Sequence, residues 1–432
     1  MSNLPLFILL LAGYVILTRI ALRIRSDKVR LPLFAIFNIA FVALLSLQTR
    51  YHDWEPEPIL SLGQGAVVRH LALIGFYVLI VAAGYFLMRA LANKAGMLPW
   101  IAFSYPILVL ILFKYFYFAW EPFVERLGWD DWVLAATIIG LSYMAFRLSF
   151  LVLEVRNEIV EMPSLSGYLG FAFFLPTMIV GPINPFSVHK RSLDSGSFDS
   201  GYIARSFLRV AVGSVKFLFL ANLANQLSYA GIFLDQKPHG PIDLVVAAVF
   251  YYIFLYLNFS GICDIAIGIA GLLGIRVIEN FDNPFLARNI KDFWNRWHIS
   301  LSVWARDIIF SPLSKYLIRR FGIGYTNAAL TVTTFVVFLV IGVWHGVGWR
   351  FALFGVIHAA GVIGNYYYTI FLKKRLGKEG FRKYNKSKLI HAIAVVTTFA
   401  YVTASFSVFA NSYNQLGIIK NAITEGFFIS GN

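Results

Sequence analysis

The chain has 432 residues, of which 59% are hydrophobic and 14% charged, and carries a formal net charge of +15 at neutral pH. A water-soluble chain of that length needs many more polar side chains to cover its surface, so the composition excludes a soluble globular protein and indicates an integral membrane one. The basic residues sit in short segments between apolar stretches, where membrane orientation and anionic headgroups account for them, so no nucleic-acid partner is expected.

Residues 4–20, LPLFILLLAGYVILTRI, have the length of a signal peptide but neither a basic lead-in nor a small-residue cleavage site, so they predict a retained first span. Further apolar stretches of bilayer length fall near 32–49, 66–92, 98–120, 131–154, 207–228, 241–272, 326–345, 349–371 and 389–411. The connecting segments alternate in charge. Leu22–Arg30 and Lys373–Lys388 are strongly basic, whereas Tyr51–Pro58 and Glu121–Asp131 are mainly acidic, which places the first pair in the cytosol and both termini outside.

One apolar stretch, GYLGFAFFLPTMIVGPINPF (Gly167–Phe186), breaks the alternation. It is long enough to cross, but it holds three prolines and is followed by the basic VHKRS, so a re-entrant or broken segment is expected, with its freed backbone groups satisfied by protein or by a water-filled cavity. A second irregular region follows the 241–272 helix up to about residue 320. It contains RVIENFDNPFLARNIKDFWNRWHIS, too polar to cross, and predicts short amphipathic helices at the cytosolic face. The expected organisation is one polytopic membrane domain over 1–432: N-terminal helices in 1–160, a catalytic core in 167–365, and a C-terminal helix and tail in 389–432.

Polar groups at membrane depth are costly, so each marks a candidate site. His298 follows WNRW, and His345 sits in GVWHGVGW at the outer end of the 326–345 helix. A histidine suits the role of general base toward a hydroxyl, because its ordinary pKa of about 6.5 leaves neutral imidazole available near neutral pH. Asn295, Trp297 and Ser300 beside His298, and Trp344 beside His345, are the expected substrate contacts. Gly342, Gly346 and Gly348 would let a substrate chain approach the backbone closely. Asp264, an acid inside an apolar helix, reads as a structural partner for Arg296 or Arg306, with Asp307 in the same supporting group. The glycines of AIGIAGLLG (Ala266–Gly274) have the spacing of packed membrane helices. The lone cysteine, Cys263, allows no intrachain disulfide and reads as a small buried apolar group. No metal site is expected, since there is neither HExxH nor a paired-cysteine motif. A proton-coupled transporter using Asp264 and the histidines is the alternative of another class, and the absence of an inverted repeat argues against it.

The segments SGICDIAIGIAGLLGIRVIENFDNPF, RNIKDFWNRWHISLSVWARDIIF and VWHGVGWRFALFGVIHAAG resemble, in order and spacing, the core of the membrane-bound O-acyltransferase family, and MIVGPI resembles an element upstream of it. The bacterial branch, which modifies exported polysaccharides and teichoic acids, is the closer match, and the likeness covers about residues 170–365. It implies an all-α ring of about ten transmembrane helices around a tunnel. The family's near-invariant histidine falls on His345, and its second polar position, histidine or asparagine among members, falls on His298. It further implies no bound cofactor but a cytosolic thioester co-substrate, acetyl-CoA or an acyl carrier protein. The acceptor would be a hydroxyl of an envelope polysaccharide or teichoic acid, reached with membrane lipids around the chain and with an extracytoplasmic partner enzyme in some systems. The expected activity is acyl transfer, with acetyl as the first choice and D-alanyl as the alternative, at a bacterial cytoplasmic membrane. GICD (Gly261–Asp264) departs from the usual GYSD, and Ala305 replaces the larger residue usual before the Arg-Asp pair, which leaves the acceptor open.

Overall fold

The computed structural model describes residues 4–50, 64–116, 140–195, 199–233, 239–346 and 348–429. The two acidic segments, Tyr51–Pro58 and Glu121–Asp131, and the start of the span expected over 131–154 lie outside the described residues.

Among the described residues the ordered structure is helical. Helices α1 (Leu4–Leu22), α2 (Asp27–Arg50), α3 (Gln64–Leu91), α4 (Leu98–Tyr115) and α5 (Leu141–Arg156) follow the apolar runs. After two shorter helices, α6 (Leu165–Ala172) and α7 (Phe186–Ser195), come α8 (Ser200–Gln226) and α9 (Pro241–Leu272). The chain then forms α10 (Ile290–Arg296), α11 (Ile299–Ala305) and α12 (Ser311–Phe321), with a π-turn at Arg306–Phe310 joining the last two. It ends with α13 (Thr326–His345), α14 (Trp349–Lys386), α15 (Lys388–Ala410) and α16 (Tyr413–Ile429). Seven of the described helices are long and apolar enough to cross a membrane, among them α9, α13 and α15. By contact the chain divides into two compact units, one of residues 1–211 with 263–278 and one of 212–262 with 279–432.

Two segments depart from expectation. The basic stretch Lys373–Lys388 is not a loop: α14 runs through it to Lys386 as two helical pieces that meet in a kink at Gly377, whose φ of 65° lies in the left-handed region. Lysine, arginine and glutamate are good helix formers, and Lys383 pairs with Glu379 one turn away, so the segment stays helical after the apolar run ends. The C-terminal tail also holds a helix. Ile419 and Ala422 of α16 pack against Tyr229, Phe233 and Ala247, which buries an apolar stripe too short to read as a span.

In the first unit, Gly167–Phe186 is broken as its prolines require. Helix α6 is 8 residues long, about 12 Å, and is followed by a single turn at Leu175–Met178 and non-helical chain up to α7. Two side chains of α5, seven residues apart and so on one face, close the break. Arg147, fully buried, donates to the Ala172 carbonyl at 2.8 Å and to Thr177 Oγ1 at 2.7 Å, with its guanidinium 5.2 Å from the Phe171 ring centroid. Glu154 accepts from the backbone N–H groups of Phe186 at 2.8 Å and Ser187 at 3.1 Å. A cation thus meets the carbonyl end of α6 and an anion the N–H end of α7, each opposite in sign to the helix dipole it faces.

Amides complete the closure. Asn38 Oδ1 accepts from Leu175 N at 3.0 Å and from the Tyr14 hydroxyl at 2.8 Å, while Asn184 spans from the Arg276 carbonyl to Ile278 N. Nearby, a Cβ at Gly268 would lie 2.8 Å from the Ser206 carbonyl oxygen, and one at Gly271 would strike the Ser206 hydroxyl, so these glycines serve close helix packing. Cys263 is buried, as read.

Replacing Arg147 by Met should leave the Ala172 carbonyl unmet in an apolar surrounding and lower the thermal unfolding midpoint in detergent, each lost charged hydrogen bond being worth about 1.5–3 kcal/mol. An unchanged midpoint for Arg147→Met would show that the bond does not hold the break closed.

Candidate active site

The WNRWH segment lies wholly within the second unit, at the corner between α10 and α11. Asn289 caps α10 by accepting from Asp292 N at 2.9 Å, and Trp297 leaves the helix in extended conformation. His298 then adopts φ 46° and ψ 52°, a left-handed conformation that costs a residue with a Cβ about 1–2 kcal/mol. The corner is tied on several sides. Ile299 N donates to the Asn280 carbonyl at 3.0 Å, and the His298 carbonyl accepts from Leu301 N at 3.0 Å. Asn280 Oδ1 accepts both Ser300 N at 3.1 Å and Ser300 Oγ at 2.8 Å, and Ser302 Oγ donates to the Trp294 carbonyl at 2.9 Å.

The His298 ring is 3% exposed, edge-on to Phe259 at 4.8 Å and 6.4 Å from Trp344. Burial, and secondarily the charge of a protonated His345, push its pKa down to about 3. It is therefore a neutral imidazole at any working pH, able to donate or accept a hydrogen bond but not to carry charge.

His345 is the last residue of α13 and is only half-buried. Its ring lies 4.7 Å from Trp344 and meets Phe409 edge-on at 5.1 Å. Trp344 thus touches both histidines, and the two are close enough for the charge of one to shift the other. Close crossing of α13 and α14 sets this end of the helix: a Cβ on Gly342 would strike the Phe351 carbonyl and one on Gly346 the Phe351 ring. These two glycines are filled by their own neighbours and are not open to a substrate chain, whereas Gly348 has only ordinary contacts.

Beside the corner is a cavity of about 820 Å³, bounded by α10 and α11 on one side and by α13 and α14 on the other. Along α13 it runs from Leu330 to Ile341, so its deep end lies one turn before His345. Along antiparallel α14 it reaches Lys373, and Lys291 and Arg306 also line it.

Of the expected substrate contacts, Asn295 faces this cavity and Trp344 the histidines. Trp297 packs instead among Tyr252, Phe281 and Phe406, and Ser300 is engaged by Asn280. Both arginines expected as partners for Asp264 are engaged by acids of their own segment. Asp264 pairs with Arg209 at 3.0 Å, Arg296 with Asp292 at 3.0 Å, and Arg306 with its neighbour Asp307 at 2.8 Å, because each arginine finds an acid within its own segment or packed helix. Asn280 was not among the expected residues. Its only signal is an amide set between the apolar residues Val277, Ile278 and Phe281, which needs partners once buried.

Fold and site together define a polytopic, all-helical membrane protein with a paired-histidine centre. Residues 70–407 match the model of the MBOAT, membrane-bound O-acyltransferase family, and the chain belongs to that family. It is an enzyme of acyl transfer, which sets aside the transporter alternative. It is 30% identical over 294 residues to the teichoic acid D-alanyltransferase of Streptococcus thermophilus, covering 65% of this chain and 70% of that one. It is 26% identical over 343 residues to the Bacillus subtilis teichoic acid D-alanyltransferase (79% and 84% covered). With the probable alginate O-acetylase AlgI of Azotobacter vinelandii it shares 29% identity over 256 residues (58% and 50% covered).

Asn280→Ala removes the acceptor shared by Ser300 N and Oγ, and should lower both stability, by about 1–3 kcal/mol, and turnover. Its thermal midpoint and rate, measured on one preparation, check this. The folded His298 takes up a proton only near pH 3, whereas the unfolded one does so near 6.5, so its contribution to stability is present above about 6.5 and is lost as pH falls toward 3. His298→Asn should therefore lose less thermal stability than the natural chain between pH 7 and pH 5.

Proposed function

We propose that the enzyme moves an acyl group from a cytosolic thioester to a hydroxyl of an extracytoplasmic envelope polymer, at the cytoplasmic membrane of a bacterial cell. The observation that carries this reading is the cavity beside the histidine corner, which ends one turn from His345 and is lined by cations along its length. Its three-turn run along α13, about 17 Å, suits a thin linear donor arm, and Lys291, Arg306 and Lys373 suit the donor's phosphate. In this reading that mouth opens to the cytosol and both chain termini lie outside, which the basic segments near its α12 and α14 ends support through the positive-inside rule.

In this reading His345 takes the proton of the acceptor hydroxyl as the oxygen attacks the thioester carbonyl; the new C–O bond forms, the C–S bond breaks, and the proton passes to the leaving thiolate. His298, neutral and fixed, hydrogen-bonds the donor carbonyl and the oxyanion that develops on it. Base catalysis supplies about 10² to 10⁴ of the rate, and positioning of the two substrates the remainder. Trp344, touching both rings, and Asn295, facing the cavity, contact the substrates. Asp264, Arg296, Arg306 and Asp307 act as supports.

The acyl group in the first reading is acetyl, as the name of the alginate relative suggests, with acetyl-CoA as donor and an exported polysaccharide as acceptor. One observation favours D-alanyl transfer from an acyl carrier protein to teichoic acid: the relatives so named match over 70% and 84% of their own lengths, against 50% for the alginate relative.

His345→Ala should lower transfer by at least about 10²-fold while the protein still inserts and folds; wild-type transfer by this variant would remove His345 as the base. Val337→Trp, which fills the middle of the cavity, should raise the donor KM and leave the acceptor KM unchanged. Radiolabelled acetyl-CoA and D-alanyl carrier protein, supplied in parallel with envelope polymer, decide the acyl group.

A further inference from the structure

We infer that His358 is a positioning residue of the donor cavity, acting through Trp294. This rests on the reading of that cavity as the donor site. His358 is fully buried on α14, thirteen residues beyond the candidate base, and takes no part in the mechanism given above. Trp294 of α10 lines the cavity. Its indole Nε1–H points away from the cavity and donates to His358 Nδ1 at 3.1 Å. An indole nitrogen is a donor only, so Nδ1 must present its lone pair and the ring proton must sit on Nε2. That nitrogen lies 2.9 Å from Ser405 Oγ, which in turn donates to the Val402 carbonyl at 2.7 Å. The four groups form a one-directional relay of donors from the cavity wall to the backbone of α15, and the relay permits only one tautomer of His358.

The imidazole is enclosed by aromatic rings, with Phe354 at 4.3 Å and Phe338, itself a cavity residue, nearly parallel at 6.3 Å. His358 therefore does not meet a donor directly. Trp294 does, and it also binds the α10–α11 corner, because its carbonyl accepts from Ser302 Oγ. The indole shows the cavity its apolar face only because His358 satisfies its N–H from behind. Without that acceptor the N–H is left unmet or turns into the cavity, and either outcome reshapes the wall along which the donor lies while leaving His345 in place.

The test uses the full-length protein in detergent, with acetyl-CoA and a D-alanyl carrier-protein thioester as probe donors. His358→Asn puts an amide oxygen near the position of Nδ1 and keeps the acceptor for Trp294. His358→Gln puts its polar end toward Ser405 and leaves the indole unmet. The donor KM is expected to rise about tenfold in His358→Gln with kcat within about twofold of wild type, and to stay near wild type in His358→Asn. In a Trp294→Phe background the Gln substitution should add nothing. Equal KM values for the two amides, or an undiminished effect of His358→Gln in Trp294→Phe, overturns the inference. Because either variant can fail to fold, the indole hydrogen bond is read separately from the resonance Raman difference between wild type and Trp294→Phe; a Trp294 N–H free of a hydrogen bond in wild type overturns the inference by itself. Transfer that persists in His345→Ala overturns the catalytic reading instead, and leaves the Raman result and the Asn–Gln contrast to decide His358.

Discussion

A break in a helix within an apolar medium frees peptide N–H and C=O groups that no water can satisfy, and the folding of this protein is organised around closing such breaks. Arg147 and Glu154 close one from a single face of α5, with a positive and a negative group assigned to opposite helix ends. Asn38 and Asn184 close adjoining gaps with amides, which both give and receive. Asn280 does the same in the second unit, where the break it closes carries His298. The buried polar residues are thus mostly backbone partners, and the chain can be irregular where chemistry requires it without exposing its peptide groups to lipid.

The two histidines of the site differ in the freedom that their surroundings allow. His298 is enclosed, neutral and held by a tied corner, so its hydrogen-bonding direction is set before any substrate arrives. His345 ends a helix, is half-exposed, and has the rings of Trp344, Phe354 and Phe409 on its flanks. A fixed neutral group suits a charge that develops at one atom. A base that must take and return a proton needs access, which a helix end provides.

Much of this was legible from sequence. The apolar runs located α1 to α4, α9, α13 and α15, because bilayer length and helix length are the same constraint. The prolines of Gly167–Phe186 announced its break. What sequence did not disclose were choices among partners: several arginines were available for Asp264, and only packing selects Arg209. Trp297 and Ser300 looked equivalent to Asn295 by proximity to His298, but the turn at the corner sends the first two inward and leaves Asn295 at the cavity. Glycines near His345 pointed toward a ligand when their neighbour was Phe351 of the next helix. The helical character of Lys373–Lys386 was hidden because charge marks the end of a membrane span but does not end a helix.

The left-handed backbone at His298 has an evolutionary corollary. That region of conformational space admits glycine freely and, among residues with side chains, favours asparagine, aspartate and histidine. Glycine offers no side chain to the donor, and aspartate would bury a charge. Histidine and asparagine remain, the two residues that the family resemblance implies for this position. The geometry of one peptide unit thus acts as a filter on drift: it narrows the replacements the position can survive before any demand of catalysis is applied.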